Sequence, residues 1–338
     1  MRIVHLILTR RFAGSERYAV ELANAQAAAG DEVVMVLRRA AAQPRPDAIA
    51  HRLAPGVRLE LVPDLLPQWH ARRRVRRLRP QVAHAHLSGA CRALQGLPRD
   101  TCLRVATLHI AYKPQQHAAL DALVAIAPWQ LQAVPARLRP HAVQLDNWTL
   151  PAAPSADARA RLRAQLGIAA DAPVFGSLGR AEHGKGFDLL VDAFLQLDDP
   201  RAWLVIAGQG RQLEALRSRA AGHPRIVLPG FVEQPRDWLQ AFDVFVSAAR
   251  DEPFGLVLLE AMEAGLPIVA SASFGARHLA PVIDSALVPC GDVRALAAAL
   301  ADTPRSRRAY PMDQFRIQAR LPQFTAFYQR ELRAAAPR

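Results

Sequence analysis

The chain has 338 residues, 51% of them hydrophobic and 22% charged, which is long enough for two domains and apolar enough to exclude a disordered protein. The formal net charge of +13 favours an anionic partner, but aromatic residues are only 6% and do not interleave with basic ones, so nucleic acid is not expected. No apolar run approaches the roughly 20 residues of a membrane helix, and three scattered cysteines are typical of the reducing cytoplasm.

The first half of the sequence alternates apolar runs with helical patterns. Residues 2–8 predict a strand and not a signal peptide, 16–29 a helix ending at Gly30, and 33–37 a second strand. The loop between them carries Gly14 but lacks the G-x-G-x-x-G pattern, which argues against an NAD enzyme. Further strands are predicted at 58–62, 82–85, 103–108, 122–127 and 142–145, before a proline-rich linker.

Residues 69–79, with the sequence WHARRRVRRLR, predict a basic helix. Six arginines lie between Arg72 and Arg79, and Trp69 and Val75 belong to an apolar stripe. Such a helix fits an anionic membrane surface, to which each arginine contributes about 1 kcal/mol. The alternative is a solvated face of a crossover helix.

Histidines stand at the ends of two predicted core strands. His84 and His86 close the strand that begins at residue 82, and His109 follows the strand at 103–108. Ligands of open parallel sheets lie beyond the carboxyl ends of the strands, so His109 and His86 are candidate site residues. A purely structural role is the alternative for each.

The second half repeats a strand–glycine–helix pattern. Such repetition predicts a doubly wound parallel sheet whose carboxyl edge is lined by closely approaching backbone. The predicted helices include 186–197 and 212–221. The predicted strands are 174–178, 203–207, 226–228, 244–246 and 268–270.

A glycine-rich loop, GRAEHGKG at 179–186, carries two cations, Arg180 and Lys185. Lys185 is one of only two lysines among the 43 basic residues. Two fixed positive charges can stabilise a departing nucleoside diphosphate without a metal ion. The loop is not a P-loop, because the spacing differs and no Ser or Thr follows the lysine. Two solvated cations are the alternative.

The stretch RDEPFGLVLLEAMEAGLPIVAS at 250–271 places Glu252 in a loop and Glu260 on a helix that is predicted to start near Phe254. Free backbone N–H groups from Phe254 to Leu256 can bind an anion. A half-buried Glu260 needs hydrogen-bond donors, which a ribose diol supplies. Two solvated surface carboxylates are the alternative.

The spacing of Glu252 and Glu260, with Phe254-Gly255-Leu256 between them, resembles the E-x7-E signature of the retaining GT-B glycosyltransferases of the GT4-like family, or glycosyltransferase group 1. The resemblance covers essentially the whole chain and is sharpest from residue 179 onward. It implies an α/β GT-B fold with two Rossmann-like, doubly wound parallel-sheet domains facing a cleft. The expected domains are an acceptor-binding domain, 1–150, and a nucleotide-sugar-binding domain, 151–314, with a helix at 315–338 packing back on the first.

The resemblance also implies the activity. A retaining, metal-independent enzyme would move a sugar from a UDP- or GDP-sugar, bound as substrate without a cofactor, to a glycan or lipid-linked acceptor. The sequence contains no Asp-x-Asp metal motif, and no metal ligands are expected. The expected setting is bacterial lipopolysaccharide or envelope polysaccharide synthesis, by a cytoplasmic protein that is peripheral on the inner membrane if the basic helix docks there.

The resemblance assigns roles to individual residues. Arg180 and Lys185 would hold the diphosphate, and Glu260 the ribose. Glu252 with the amides of Phe254 and Gly255 would hold the hexose hydroxyls. His109 would orient the sugar or steady developing charge. The remaining expected donor-binding residues are Gly14, Gly208, Phe231, Val232 and Leu256. Many relatives carry two adjacent glycines where this chain has Ala13 and Gly14.

Two other functions fit the same pattern. A GT-B-shaped sugar-nucleotide 2-epimerase would act on the donor alone. A non-catalytic scaffold would bind a nucleotide or a membrane surface while keeping the fold. Formation of an epimer would identify the first, and donor hydrolysis or transfer would exclude the second.

Overall fold

The computed structural model describes residues 1–151, 153–285 and 287–335. The chain forms two compact units: unit 1 contains Met1–Trp148 together with the chain from Phe315, and unit 2 contains Thr149–Gln314. The division falls close to the domain boundary expected from the sequence. The last three residues of the predicted terminal helix lie outside the described residues.

Unit 1 is built on a seven-stranded sheet with the order β3-β2-β1-β4-β5-β6-β7, in which all neighbours are parallel. The strands are β1 (Arg2–Ile7), β2 (Glu32–Arg38), β3 (Val57–Val62), β4 (Val82–His86), β5 (Leu103–Leu108), β6 (Ala122–Ala125) and β7 (Ala142–Gln144). The helices that follow them are α1 (Gly14–Ala28), α2 (Pro67–Leu78), α3 (Leu87–Gln95), α4 (Pro114–His117) and α5 (Pro128–Ala133).

Helices cover both faces of this sheet because alternate side chains of its strands point in opposite directions. In β2, Val34 and Val36 join the core under α2 and α3, while Val33 and Met35 join the core under α1. All four side chains are almost completely buried, which explains why the strand is a continuous apolar run.

Unit 2 has a five-stranded parallel sheet with the order β10-β9-β8-β11-β12. Its strands are β8 (Val174–Leu178), β9 (Trp203–Ala207), β10 (Ile226–Gly230), β11 (Val244–Ser247) and β12 (Ile268–Ala270). Its helices are α6 (Ala158–Gln165), α7 (Phe187–Leu195), α8 (Leu213–Ala220), α9 (Pro235–Ala241), α10 (Leu256–Glu263), α11 (Phe274–Ile283) and α12 (Val293–Asp302). The last helix, α13 (Ile317–Ala335), belongs to unit 1 and packs on α1 and β5.

Each sheet has one point where the strand order reverses, between β1 and β4 in unit 1 and between β8 and β11 in unit 2. In open parallel sheets the loops that leave the two strands at such a switch point diverge to opposite faces and leave a crevice for ligands. The glycine-rich loop at 179–186 leaves β8, and the loop that carries Glu252 leaves β11. The fold therefore brings the two predicted motifs to one switch point.

The prediction that the helix after Glu252 starts near Phe254 is wrong by two residues. Gly255 adopts φ +97°, a left-handed conformation outside the α-helical region, and acts as the N-cap of α10. The helix begins at Leu256 and gives way to Gly265, at φ +71°, as expected.

Candidate active site

The cationic loop of unit 2, residues 179–186, is anchored to the neighbouring strand ends by its backbone. The amide of Gly179 donates to Ala207 O at 3.1 Å, and that of Ala181 donates to Gln209 O at 3.0 Å. The amide of Gly208 donates to Gly230 O at 2.7 Å. The carboxyl edge of β8, β9 and β10 is therefore a row of turns joined by backbone hydrogen bonds.

Two glycines allow the turns to approach this closely. A Cβ atom on Gly208, at φ +152°, would lie 1.6 Å from Gly179 O. A Cβ atom on Gly186, at φ +64°, would lie 1.9 Å from Ala248 O in the loop after β11. Because backbone oxygens cannot move aside as flexible side chains do, any larger residue would force these loops apart.

Lys185 and Glu252 form an ion pair across the switch point. Lys185 Nζ donates to Glu252 Oε2, and the other oxygen, Oε1, accepts the backbone N–H of Gly255 at 3.1 Å. The glutamate is 8% exposed, and the Lys185 side chain is 23% exposed. The carboxylate thus links the cationic loop to the start of α10. A bound anion would share Lys185 with Glu252, and the Gly255 amide is already engaged.

Arg250 holds the cationic loop in place from the β11 side. Its guanidinium makes two parallel bonds to the Asp188 carboxylate, at 2.7 and 2.6 Å, and a third to His183 O at 3.1 Å. The backbone N–H groups of Arg250 and Asp251 both donate to Gly184 O, at 2.9 and 3.1 Å. Hydrogen bonds from Arg250 lower the pKa of Asp188. Sequence reasoning missed this pair because its members are far apart in the chain.

The other predicted residues of unit 2 are spread along the same sheet edge. Arg180 is exposed on the cationic loop. Phe231, directly after β10, is 63% exposed, and Val232 beside it is half-buried. Phe254 is 2% exposed and belongs to the core. Glu260 lies half-buried on α10. It lines a small depression together with Glu263 of the same helix and Arg236 of α9.

Glu260 is one helical turn, about 6 Å along the axis, beyond the first residue of α10. The structure thus brings Lys185, Glu252 and Gly255 into direct contact. It places Arg180, Gly208, Phe231 and Glu260 on the loops and helix around them.

In unit 1, His109 lies at the carboxyl end of β5 and belongs to a buried histidine cluster at the β1/β4 switch point. His5 on β1 pairs in register with His84 on β4, and His86 closes that strand. All three are 0% exposed, and His109 is half-buried. Burial lowers the pKa of His109 to about 3 and that of His5 to about 4, so both rings are neutral at physiological pH.

His5 was missed because a single histidine in an apolar strand shows no pattern until its neighbours in the sheet are known. The predicted site residue Gly14 is the first residue of α1 and is exposed. The capping bond there comes from Glu16, whose carboxylate accepts the N–H of Ala13 at 3.1 Å. This local bond, rather than a second glycine, sets the turn between β1 and α1.

The basic helix α2 and the two residues before it form an exposed region that combines positive charge with apolar side chains. Leu65, Leu66 and Trp69 are 78%, 62% and 46% exposed, and Arg73 stacks over the Trp69 ring at 4.7 Å. Of the six arginines between Arg72 and Arg79, Arg74 turns inward and forms an ion pair with the Glu60 carboxylate at 2.8 Å. No helix in the described part of the chain has the length and apolarity needed to cross a membrane.

Two doubly wound parallel sheets of this topology are typical of the GT-B class of proteins. Residues 12–174 match the family model "Glycosyltransferase Family 4", and residues 172–303 match "Glycosyl transferases group 1". A lipopolysaccharide core biosynthesis glycosyltransferase, LpsD, of Rhizobium meliloti is 30% identical over 326 residues, which cover 91% of this chain and 90% of the relative. The chain belongs to this glycosyltransferase family.

Other similarities cover less or are more distant. A D-inositol 3-phosphate glycosyltransferase of Xylanimonas cellulosilytica is 36% identical over 182 residues, which are 50% of this chain and 44% of the relative, so the match spans less than half of that protein. The structure of Anabaena HepE in complex with UDP-glucose superimposes with a TM-score of 0.71 at 20% identity and covers 98% of both chains. At this identity the similarity shows the fold.

Proposed function

We propose that this protein is a retaining, metal-independent glycosyltransferase that moves a sugar from a nucleotide-sugar donor to a glycan or lipid-linked acceptor of the bacterial envelope. The observation that carries the proposal is the Lys185–Glu252–Gly255 junction at the β8/β11 switch point. It combines a cation, a carboxylate and a helix N-terminus where parallel sheets bind ligands. The name of the Rhizobium relative supports the envelope acceptor, and the UDP-glucose in HepE supports a UDP-sugar over a GDP-sugar.

The cations supply the charge that catalysis of this kind needs. As the bond between the sugar and the diphosphate breaks, negative charge grows on the leaving phosphate, and Arg180 and Lys185 stabilise it. The Lys185–Glu252 pair keeps the lysine aimed at the switch point, and Glu252 together with the backbone of Phe254 and Leu256 then binds sugar hydroxyls. The leaving phosphate accepts the proton of the attacking acceptor hydroxyl on the same face, so the anomeric configuration is retained.

The remaining donor contacts follow the sheet edge. The backbone at Gly208 and Val232 binds the base and ribose, with the exposed Phe231 ring beside them, and Glu260 accepts hydrogen bonds from the ribose. In unit 1, Gly14 and His109 act at the β1/β4 switch point on the sugar and the acceptor.

The test exploits the two lysines of the chain. A thermal-shift screen of UDP-, GDP-, ADP- and CMP-sugars first identifies the donor by the stabilisation that binding causes. With that donor, Lys185→Ala should lower kcat about 100-fold or more, because one transition-state charge partner is removed. Lys113→Ala, at an exposed position in unit 1, is the matched control and should leave kcat unchanged. Equal rates in both variants would reject the proposed diphosphate site.

Three further measurements separate the parts of the proposal. Proton NMR of the product shows whether the anomeric configuration is retained. Activity that persists in excess EDTA supports metal independence. Incubation of the donor without acceptor, followed by NMR, distinguishes transfer or hydrolysis from formation of a 2-epimer.

We also propose that α2 docks the protein on an anionic membrane surface. The exposed Leu65, Leu66 and Trp69 supply an apolar edge, and Arg73, Arg76 and Arg77 supply charge on the same helix region. A double variant, Arg76→Glu with Arg77→Glu, should bind phosphatidylserine vesicles more weakly by at least about 2 kcal/mol, since each arginine contributes about 1 kcal/mol to binding. Co-sedimentation with the vesicles measures this difference. Arg99→Glu, also exposed in unit 1, is the control. Undiminished binding of the double variant would show that a surface other than α2 contacts the membrane.

A further inference from the structure

Three histidines and one glutamine of unit 1 form a continuous chain of hydrogen bonds, which we name the imidazole relay: Gln26, His5, His86 and His109. Gln26 Oε1 lies 2.6 Å from His5 Nε2. His5 Nδ1 lies 3.0 Å from His86 Nε2, and His86 Nδ1 lies 3.2 Å from His109 Nε2. The first three side chains are almost completely buried, and the relay ends at the half-buried His109.

The relay has a defined direction because a neutral imidazole carries only one proton. The oxygen of Gln26 can only accept, so the proton of His5 is on Nε2. His5 Nδ1 then accepts from His86 Nε2–H, and His86 Nδ1 accepts from His109 Nε2–H. Each ring thereby fixes the tautomer of the next one.

All rings of the relay are uncharged at neutral pH. Burial holds the pKa of His86 well below its usual range, and the pKa values of His5 and His109 are lowered to about 4 and about 3. A protonated ring would place two N–H donors face to face in the relay, which costs free energy in a buried site.

We propose that Gln26, His5 and His86 are positioning residues that hold neutral His109 in the tautomer with its proton on Nε2, so that Nδ1 is a hydrogen-bond acceptor for a sugar hydroxyl. This proposal rests on the proposed glycosyltransferase function for the identity of its ligand. Within the described part of the chain His109 Nδ1 makes no hydrogen bond. An unprotonated nitrogen binds an O–H group and repels an anionic oxygen, so the proposal assigns His109 to the sugar and not to the phosphates.

A buried metal ion is the competing explanation for the cluster, because one ring nitrogen each of His5, His84 and His86 lies within 4.8 Å of the others. Hydrogen bonds already account for these nitrogens. His84 Nδ1 lies 2.6 Å from Tyr328 OH, and His84 Nε2 lies 2.8 Å from Thr107 Oγ1. A divalent ion would have to displace these bonds in a site that is sealed from water, where charge is costly.

The tautomer can be read directly by long-range proton–nitrogen NMR spectra of protein labelled with ¹⁵N-histidine, since protonated and bare ring nitrogens have distinct shifts. At pH 7 the His109 signals should show a proton on Nε2 and a bare Nδ1, and they should not titrate down to pH 5. A proton on Nδ1, a doubly protonated ring or a rapid mixture of tautomers would overturn the proposal, as would displacement of the His5 and His86 signals by added Zn²⁺.

Variants then test the relay itself. His86→Leu removes the acceptor and should give a mixture of His109 tautomers, whereas His86→Gln retains an acceptor oxygen and should restore the single tautomer. His84→Phe is the matched control, because His84 stacks on His86 at 4.6 Å but contributes no bond to the relay. An unchanged tautomer in folded His86→Leu would show that the relay does not position His109.

Ligands test the acceptor role without requiring turnover. UDP-glucose should shift the His109 Nδ1 resonance and UDP should not, because only the former carries the hexose hydroxyls. Equal effects of the two ligands would reject the sugar contact. If the protein proves to transfer no sugar, the tautomer measurement still stands on its own, so failure of the relay and failure of the proposed function remain distinguishable.

Discussion

Mild acid should destabilise unit 1 through the histidines that are buried in their neutral form. An unfolded histidine has a pKa of 6.5, whereas burial lowers the pKa of His5 to about 4 in the folded protein. The unfolded chain therefore binds the proton first as the pH falls. The stabilisation is fully present above pH 6.5 and is lost progressively between pH 6.5 and 4. Linkage gives a loss of about 2 kcal/mol between pH 7 and pH 5 for His5 alone.

The assay compares the wild type with His5→Gln, which cannot titrate. Hydrogen exchange of the β1 amides in increasing urea, followed by mass spectrometry, gives the free energy of unfolding of unit 1 at pH 7, 6 and 5. The variant is less stable at every pH, but its loss between pH 7 and pH 5 should be smaller than that of the wild type by about 2 kcal/mol. Equal losses would show that His5 is protonated in the folded state, which would refute the assignment of a neutral buried ring.

Three further outcomes are expected. Gly208→Ala should destabilise unit 2 by roughly 2–3 kcal/mol because its Cβ would meet a backbone oxygen at 1.6 Å, and an unchanged melting temperature would contradict this close approach. Arg250→Lys should weaken donor binding about tenfold in calorimetry, because lysine cannot make both bonds to Asp188, whereas Arg201→Lys, in an exposed ion pair, should not. Tyr328→Phe should cost about 1–2 kcal/mol in urea unfolding, since it leaves a buried imidazole nitrogen without its partner at 2.6 Å; no loss would argue for a compensating bond.

The strands of unit 2 were easier to predict from the sequence than helix α3 of unit 1, for a physical reason. Strands β8, β9 and β12 are short apolar runs that end at glycine or polar residues, so their limits are set locally, and the prediction of their bounds is confirmed. Helix α3 begins at Leu87, whose φ of +65° is rare for a leucine, and its sequence LSGACRALQ contains residues that favour turns. Tertiary packing, which no local pattern reports, overrides those preferences there.

The candidate site shows the same division. Lys185 was identified from one short motif, and Glu252 and Glu260 from another, each of which lies within a single stretch of the chain. The pairing of Lys185 with Glu252 joins residues 67 positions apart, and it depends on the order of strands in the sheet. His5 could be recognised as a member of the histidine cluster only from the register of β1 with β4. Spacing along the chain therefore identified candidate groups, while their contacts required the topology.

The packing of α13 has a consequence for biosynthesis. Phe324 and Tyr328 are completely buried in unit 1, yet they are translated after all of unit 2. During synthesis, unit 1 cannot complete its core until α13 has left the ribosome. Unit 2 can complete its core earlier, because all of its residues precede α13. Order of synthesis and order of completion are thus reversed, and a chaperone that shields nascent chains would meet the amino-terminal half as an unfinished client.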